Sequence, residues 1–242
     1  MDYGIQLYSV RDLAEVDFEA ALREIAAQGY AFVETAGFFG HSAEQVKQWL
    51  DRYGLGLSGT HSSFEDLERD FEGTAAYHRA IGNTRYIVPW SDTTTQEALE
   101  RTAEKMRRFG PMLAGHGITL GYHNHDFEFL PNADGICPMD YFREHTDVQF
   151  EIDIFWAYAA GKDPISVLEE WRDRLIGCIH LKDGFRSPAA EGRSLGLGGL
   201  PIRDVIAKCK ELGLAMVVES EDLNPSGVEE AARCARFLAE EG

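Results

Sequence analysis

Eight short runs rich in β-branched and aromatic residues recur along this 242-residue chain, and a segment of helical periodicity follows each. This alternation constrains the fold more than any other feature. The β-runs are expected at residues 4–10, 32–36, 57–61, 86–90, 119–125, 149–156, 178–182 and 216–220. Helices are expected at 18–28, 43–53, 64–81, 96–116, 138–145, 164–175, 201–212 and 227–240. Strict alternation predicts a parallel sheet with helices over both faces, where short strands are apolar on either side. Gly29, Gly54, Gly82, Gly117 and Gly213 stand where helices must end in a left-handed residue. Pro164 and Pro201 stand where a first-turn proline is tolerated. Eight units in a chain of this length match a closed (β/α)8 barrel, whose usual size is about 250 residues. The fold class is therefore α/β, a single TIM barrel domain over residues 1–242 with no linker to split it. An open doubly wound sheet is the runner-up. The first turn, however, carries Tyr8-Ser9-Val10-Arg11-Asp12 and no Gly-rich phosphate loop.

A barrel binds its substrate at the C-terminal ends of its strands, and here those ends are rich in ligands. They carry Glu34, His61, Trp90, Tyr122-His123-Asn124-His125-Asp126, Glu151 and Asp153, His180-Leu181-Lys182-Asp183, and Glu219 with Glu221. Because side chains alternate along a strand, His123 and His125 are expected on one face, as are Glu151 and Asp153, His180 and Lys182, and Glu219 and Glu221. If those faces point inward, His123 or His125 can meet Asp153, His180 and Glu219 at one point. That set offers mixed nitrogen and oxygen donors suited to one divalent ion, Mn(2+) ahead of Zn, Co or Mg. With His123 as the strand-five ligand, His125 is left for proton transfer. Glu219, His125 and Lys182 are then the candidate bases, in that order. Glu34, His61, Trp90 and Trp156 are candidate substrate contacts, Glu34 equally a partner in a buried ion pair and the tryptophans equally core packing or apolar walls for a sugar ring. His41, His78, His116 and His145 fall outside the pattern and are expected at the surface.

Composition narrows the partner. Twenty-three Lys plus Arg against 41 Asp plus Glu give a net charge of −18, which opposes nucleic-acid binding and favours a small or neutral partner, or one held through a metal. No basic leader followed by an apolar stretch opens the sequence, and no apolar run approaches the roughly 20 residues that cross a bilayer, so a cytoplasmic protein with no membrane contact is expected. The four cysteines at 137, 178, 209 and 234 lack any C-x-x-C spacing and are expected as free thiols.

Gly4-Ile5-Gln6-Leu7-Tyr8-Ser9-Val10-Arg11, Tyr122-His123-Asn124-His125-Asp126-Phe127-Glu128-Phe129, Asp153 with Trp156, His180-Leu181-Lys182-Asp183, Gly196-Leu197-Gly198 and Glu219 together carry a resemblance over the whole chain. The sequence resembles the xylose isomerase-like barrels, a superfamily of sugar phosphate isomerases and epimerases related to AP endonuclease family 2. The resemblance implies one catalytic metal held by a strand-five Glu, a strand-six Asp, a strand-seven His and a strand-eight Glu. The last three match Asp153, His180 and Glu219. The first does not, because His123-Asn124-His125 stands where many members read Glu-Asn-His. Arg186 resembles a substrate-contacting position of the ketose 3-epimerases, and Trp156 stands where those carry a His. The implied activity is isomerisation or epimerisation of a ketose or keto-sugar through a metal-stabilised enediolate. A lyase of the inosose dehydratase or 3-keto-glycoside type is the alternative, favoured by the missing strand-five Glu, and a non-catalytic metal or sugar binder is a third reading. An endonuclease is set aside on charge and on the number of histidines. The resemblance also leaves room for a homodimer.

Overall fold

A computed structural model describes residues 3–186 and 190–241. Its strands are β1 (Tyr3–Gln6), β2 (Phe32–Ala36), β3 (Gly56–His61), β4 (Arg85–Val88), β5 (Thr119–His123), β6 (Gln149–Asp153), β7 (Leu175–Leu181), β8 (Asp183–Phe185), β9 (Glu191–Arg193) and β10 (Ala215–Val218). Eight of them close a parallel barrel in the order β1-β10-β7-β6-β5-β4-β3-β2, so the expected fold class holds. Gly29, Gly54, Gly82, Gly117 and Gly213 all have positive φ, as helix ends before a strand require. All four cysteines are free. No helix among the described residues is long and apolar enough to cross a membrane.

Inside the barrel the side chains change character with height. The lower layer is apolar, with Ile87, Ile176, Cys178 and Val217 packed together and Phe32 against them. Room for that layer comes from glycine. A Cβ on Gly4 would lie 2.1 Å from the Phe32 ring, and one on Gly121 2.6 Å from Ile176. The upper layer is polar and buried: Gln6, Glu34, His123, Glu151, His180 and Glu219. The site therefore stands on a packed floor.

Several expected elements end earlier than their composition suggests. The first strand stops at Gln6 and passes into a 3-10 turn, Leu7–Val10, because the Gln6 side chain accepts from the Tyr8 N–H. The sixth stops at Asp153, whose carboxylate caps a helix at Ile154–Ala159 by accepting from the Trp156 N–H. The expected helix over 64–81 is two helices, Phe64–Arg69 and Phe71–Ala80, broken where Asp70 leaves helical geometry to cap the second. An antiparallel pair, β8 with β9, follows β7 and is not among the expected strands. Its base is Asp183, which accepts from the N–H groups of Gly184, Gly196, Gly198 and Leu200. That use explains the Gly196-Leu197-Gly198 stretch, since a Cβ on Gly198 would strike Asp183 at 2.1 Å.

His78 is not a surface residue. It is 3% exposed, with Nδ1 3.0 Å from the Asn83 amide and 3.1 Å from the Thr60 hydroxyl. Asn83 is itself oriented by Arg85, donating to its carbonyl and accepting from its N–H, so His78 Nδ1 is an acceptor and the ring is neutral. Burial lowers its pKa to about 4 from 6.5. The unfolded chain therefore binds this proton more tightly than the fold. The stability involved is whole above pH 6.5 and is lost as pH falls towards 4, about 3 kcal/mol in all. Urea midpoints at pH 7.5 and 4.5 test this. The wild type is expected to lose more stability across that interval than His78→Phe, which has nothing to titrate there, and equal losses would contradict the assignment.

Candidate active site

Four donors from four consecutive barrel strands come together at the mouth. One ligand atom from each of His123, Asp153, His180 and Glu219 lies within 4.8 Å of the others, and all four residues are buried. His123 ends β5 and Asp153 ends β6, while Glu219 follows β10 with its N–H on the Leu181 carbonyl. Three of these side chains leave a buried polar atom with no hydrogen bond: His123 Nδ1, Asp153 Oδ2 and His180 Nδ1. Such an atom costs about 1–3 kcal/mol; Asp153 Oδ2 and His180 Nδ1 lie 4.0 Å apart and fit a cation between them, while His123 Nδ1 lies 3.8 Å from Glu151. Two imidazoles and two carboxylates suit Mn, Zn or Co.

A second group lies beneath and orients the first. His180 Nε2 sits 2.8 Å from Glu34 Oε1 and 3.2 Å from Glu151 Oε2, leaving Nδ1 to face Asp153 at 4.0 Å and Glu219 at 3.5 Å. Gln6 donates to Glu34 at 2.6 Å, and His61 Nε2 lies 2.9 Å from Glu151 and 3.0 Å from Glu34. Burial opposes charge here, yet the two imidazoles outweigh it and hold Glu34 well below the carboxylate range. Burial likewise opposes His61, but Glu34 and Glu151 push it up to about 9. Glu151 is raised by burial and by the Glu34 charge. A carboxylate on the far nitrogen of a metal-binding imidazole fixes its tautomer and raises its basicity. Glu34→Gln is therefore expected to weaken divalent-metal binding by roughly 10–100-fold. Titration of metal-free protein with Mn(2+) measures it, and an unchanged affinity would remove Glu34 from this role.

The remaining expected residues divide between the cavity and its walls. His125 lies beyond the end of β5, so the alternation argument that paired it with His123 does not apply. Its N–H is held at 2.7 Å by Glu128, a buried carboxylate that also accepts from Tyr122 and is pushed up to about 7 by burial. The His125 ring stacks on Phe127, its Nδ1 is 4.0 Å from Glu128, and burial lowers its pKa, so it is neutral. Lys182 Nζ bonds Glu221 at 2.7 Å and Glu219 at 3.3 Å and stands 4.5 Å over the Trp156 ring. Burial opposes its charge, but Glu219, Asp153 and Glu221 outweigh this and raise its pKa. A cation so held is a poor base. Trp90 is 62% exposed at the cavity rim. Arg186 is exposed, its guanidinium 5.0 Å from the Tyr158 ring and away from the cavity lining. Gln6, Asn124, Glu128 and Glu151 were not among the expected site residues. Asn124, Glu128 and Glu151 each stand within three positions of one that was, whereas Gln6 meets Glu34 only across 28 residues. Asn124 spans β5 and β6, accepting from the Asp153 N–H and donating to its carbonyl.

A cavity of about 1010 Å³ opens over these groups, reaching His61, His123, His125, Glu219 and Glu221. The site is thus buried on the barrel side and open on the loop side.

Comparison with known proteins agrees with this architecture. The sequence profile described as the xylose isomerase-like TIM barrel matches residues 22–240. An inosose dehydratase of Mesomycoplasma hyopneumoniae is 27% identical over 199 residues, covering 70% of this chain and 63% of that protein. The chain thus spans less than two thirds of that relative's length. Among solved structures, a sugar phosphate isomerase/epimerase from Parabacteroides distasonis superposes with a TM-score of 0.79 at 22% identity, covering 98% of this chain and 93% of the other. A probable 3-DHS dehydratase from Bacillus anthracis gives 0.76 at 12% identity, over 99% of each chain.

Proposed function

The chain belongs to the xylose isomerase-like TIM barrel family, and from that membership we propose a divalent-metal-dependent lyase that dehydrates a cyclic keto-polyol or keto-sugar. The observation that carries this reading is the convergence of His123, Asp153, His180 and Glu219 with three buried donor atoms unpartnered. A divalent ion held by these four would act as a Lewis acid, polarising the substrate carbonyl and an adjacent hydroxyl.

The chain's own groups supply the rest. With Nδ1 turned towards Glu128, His125 offers Nε2 to the substrate as the base. It takes the proton from the carbon next to the carbonyl, and the electron pair of that bond moves onto the carbonyl. The pair then returns to form a carbon–carbon double bond as the hydroxyl on the far carbon departs. That hydroxyl takes the proton back from His125, so one water leaves and the ring nitrogen is restored. Lys182 stays protonated and balances Glu219 and Glu221, and Glu34 and Glu151 orient His180.

The expected isomerase or epimerase becomes the second reading. A two-carboxylate mechanism needs carboxylates on opposite faces of the sugar, and the strand-five position here is an imidazole, His123. An inosose dehydratase relative leans the same way. The test is incubation of the Mn(2+)-loaded protein in deuterated water with an inosose and, separately, with ketoses. Loss of one water from the inosose supports the lyase. Deuterium exchange with a ketose isomer as product supports the second reading, and no exchange into any of them overturns both.

A further inference from the structure

The cavity is longer than one ring requires. From His123 and Glu219 it runs outward past the helix Phe64–Arg69 to the start of the helix Phe71–Ala80, where Asp66, Asp70, Thr74 and Tyr77 border it. Its total of about 1010 Å³ stands at the top of the roughly 300–1,000 Å³ that drug-sized ligands fill. A single-ring polyol at the cation site would leave this outer arm vacant. The arm's chemistry is mixed. Phe38 and Tyr77, with ring centroids 4.5 Å apart, present an aromatic wall, and facing groups are carboxylates and hydroxyls. Arg69 at the arm is already bonded to Asp66. Among the described residues that line it, Glu219, Glu221, Asp66 and Asp70 therefore leave the cavity no free cation for a phosphate. Aromatic faces beside hydrogen-bonding carboxylates suit a hydroxylated, uncharged ring.

We propose that the natural substrate is a neutral two-ring glycoside-type molecule, its reacting ring over His123 and Glu219 and its second ring in the arm between Phe38, Asp66, Thr74 and Tyr77. This rests on the reading that the first ring sits at the cation site. Saturation-transfer NMR on the Mg-loaded protein tests it, with lactose and cellobiose compared against glucose and myo-inositol. Saturation is expected on both rings of a disaccharide, with affinity at least tenfold above that of either one-ring probe. Thr74→Trp, which fills the arm, is expected to cut that preference at least tenfold. Equal affinities with saturation confined to one ring, or tighter binding of glucose 6-phosphate than of lactose, would overturn the proposal. The wild-type comparison decides the matter even if Thr74→Trp does not fold. Dehydration of an inosose alongside single-ring saturation would sink the arm alone, and two-ring saturation with no solvent exchange would sink the chemistry alone.

Discussion

Replacing Asp153 by Asn is expected to lower turnover about a thousandfold while leaving the melting temperature of the metal-free protein unchanged or raised. The loss follows from the several kcal/mol of transition-state charge stabilisation that a held divalent ion contributes, at tenfold in rate per 1.36 kcal/mol. The stability half of the expectation follows from burial. Asp153 is fully enclosed beside Glu219, with Oδ2 unpartnered, so its charge burdens the fold in the absence of a cation. Asn has the same shape and keeps the Oδ1 bond that caps the following helix. Kinetics with the true substrate class and calorimetry on chelated protein read both halves. A large fall in melting temperature would mean that the carboxylate is structural and not a ligand.

His125→Gln is expected to behave in the opposite way towards metal. Solvent exchange and turnover should fall by roughly 10²–10⁴-fold, the range that one positioned acid–base group contributes. Metal content should remain that of the wild type, because His125 is not among the four converging donors. Gln retains the backbone N–H that Glu128 holds. Exchange that survives in His125→Gln and vanishes in Glu219→Gln would transfer the base role to Glu219.

The barrel and the polar strand ends could be read from the residues because both follow from local chemistry. Short apolar β-runs separated by helical periods have few topological solutions, and helix-ending glycines such as Gly54 and Gly213 mark the joints. Asp153, His180 and Glu219 could be placed together because consecutive barrel strands are neighbours. The layer below was harder to see. Gln6 sits on an inward face that composition marks as ordinary strand, Glu151 was read only as sharing a face with Asp153, and only closure of the barrel brings Glu34 to His180 across 146 residues. His125 was paired with His123 by alternation, but β5 ends at His123 and a buried Glu128 sets the loop beyond it. His78 looked like a helix-surface residue in a long helix that in fact breaks at Asp70, which turns the second half so that His78 meets Thr60 and Asn83. The extent of the outer arm depends on that same break, and no periodicity signals it.

The location of one ion tests the account most directly. Anomalous diffraction from crystals soaked in Mn(2+) is predicted to show a single strong peak bonded to His123, Asp153, His180 and Glu219, with His180 contributing Nδ1. A peak held instead by His61 and Glu151, or none at all in excess manganese, would contradict it.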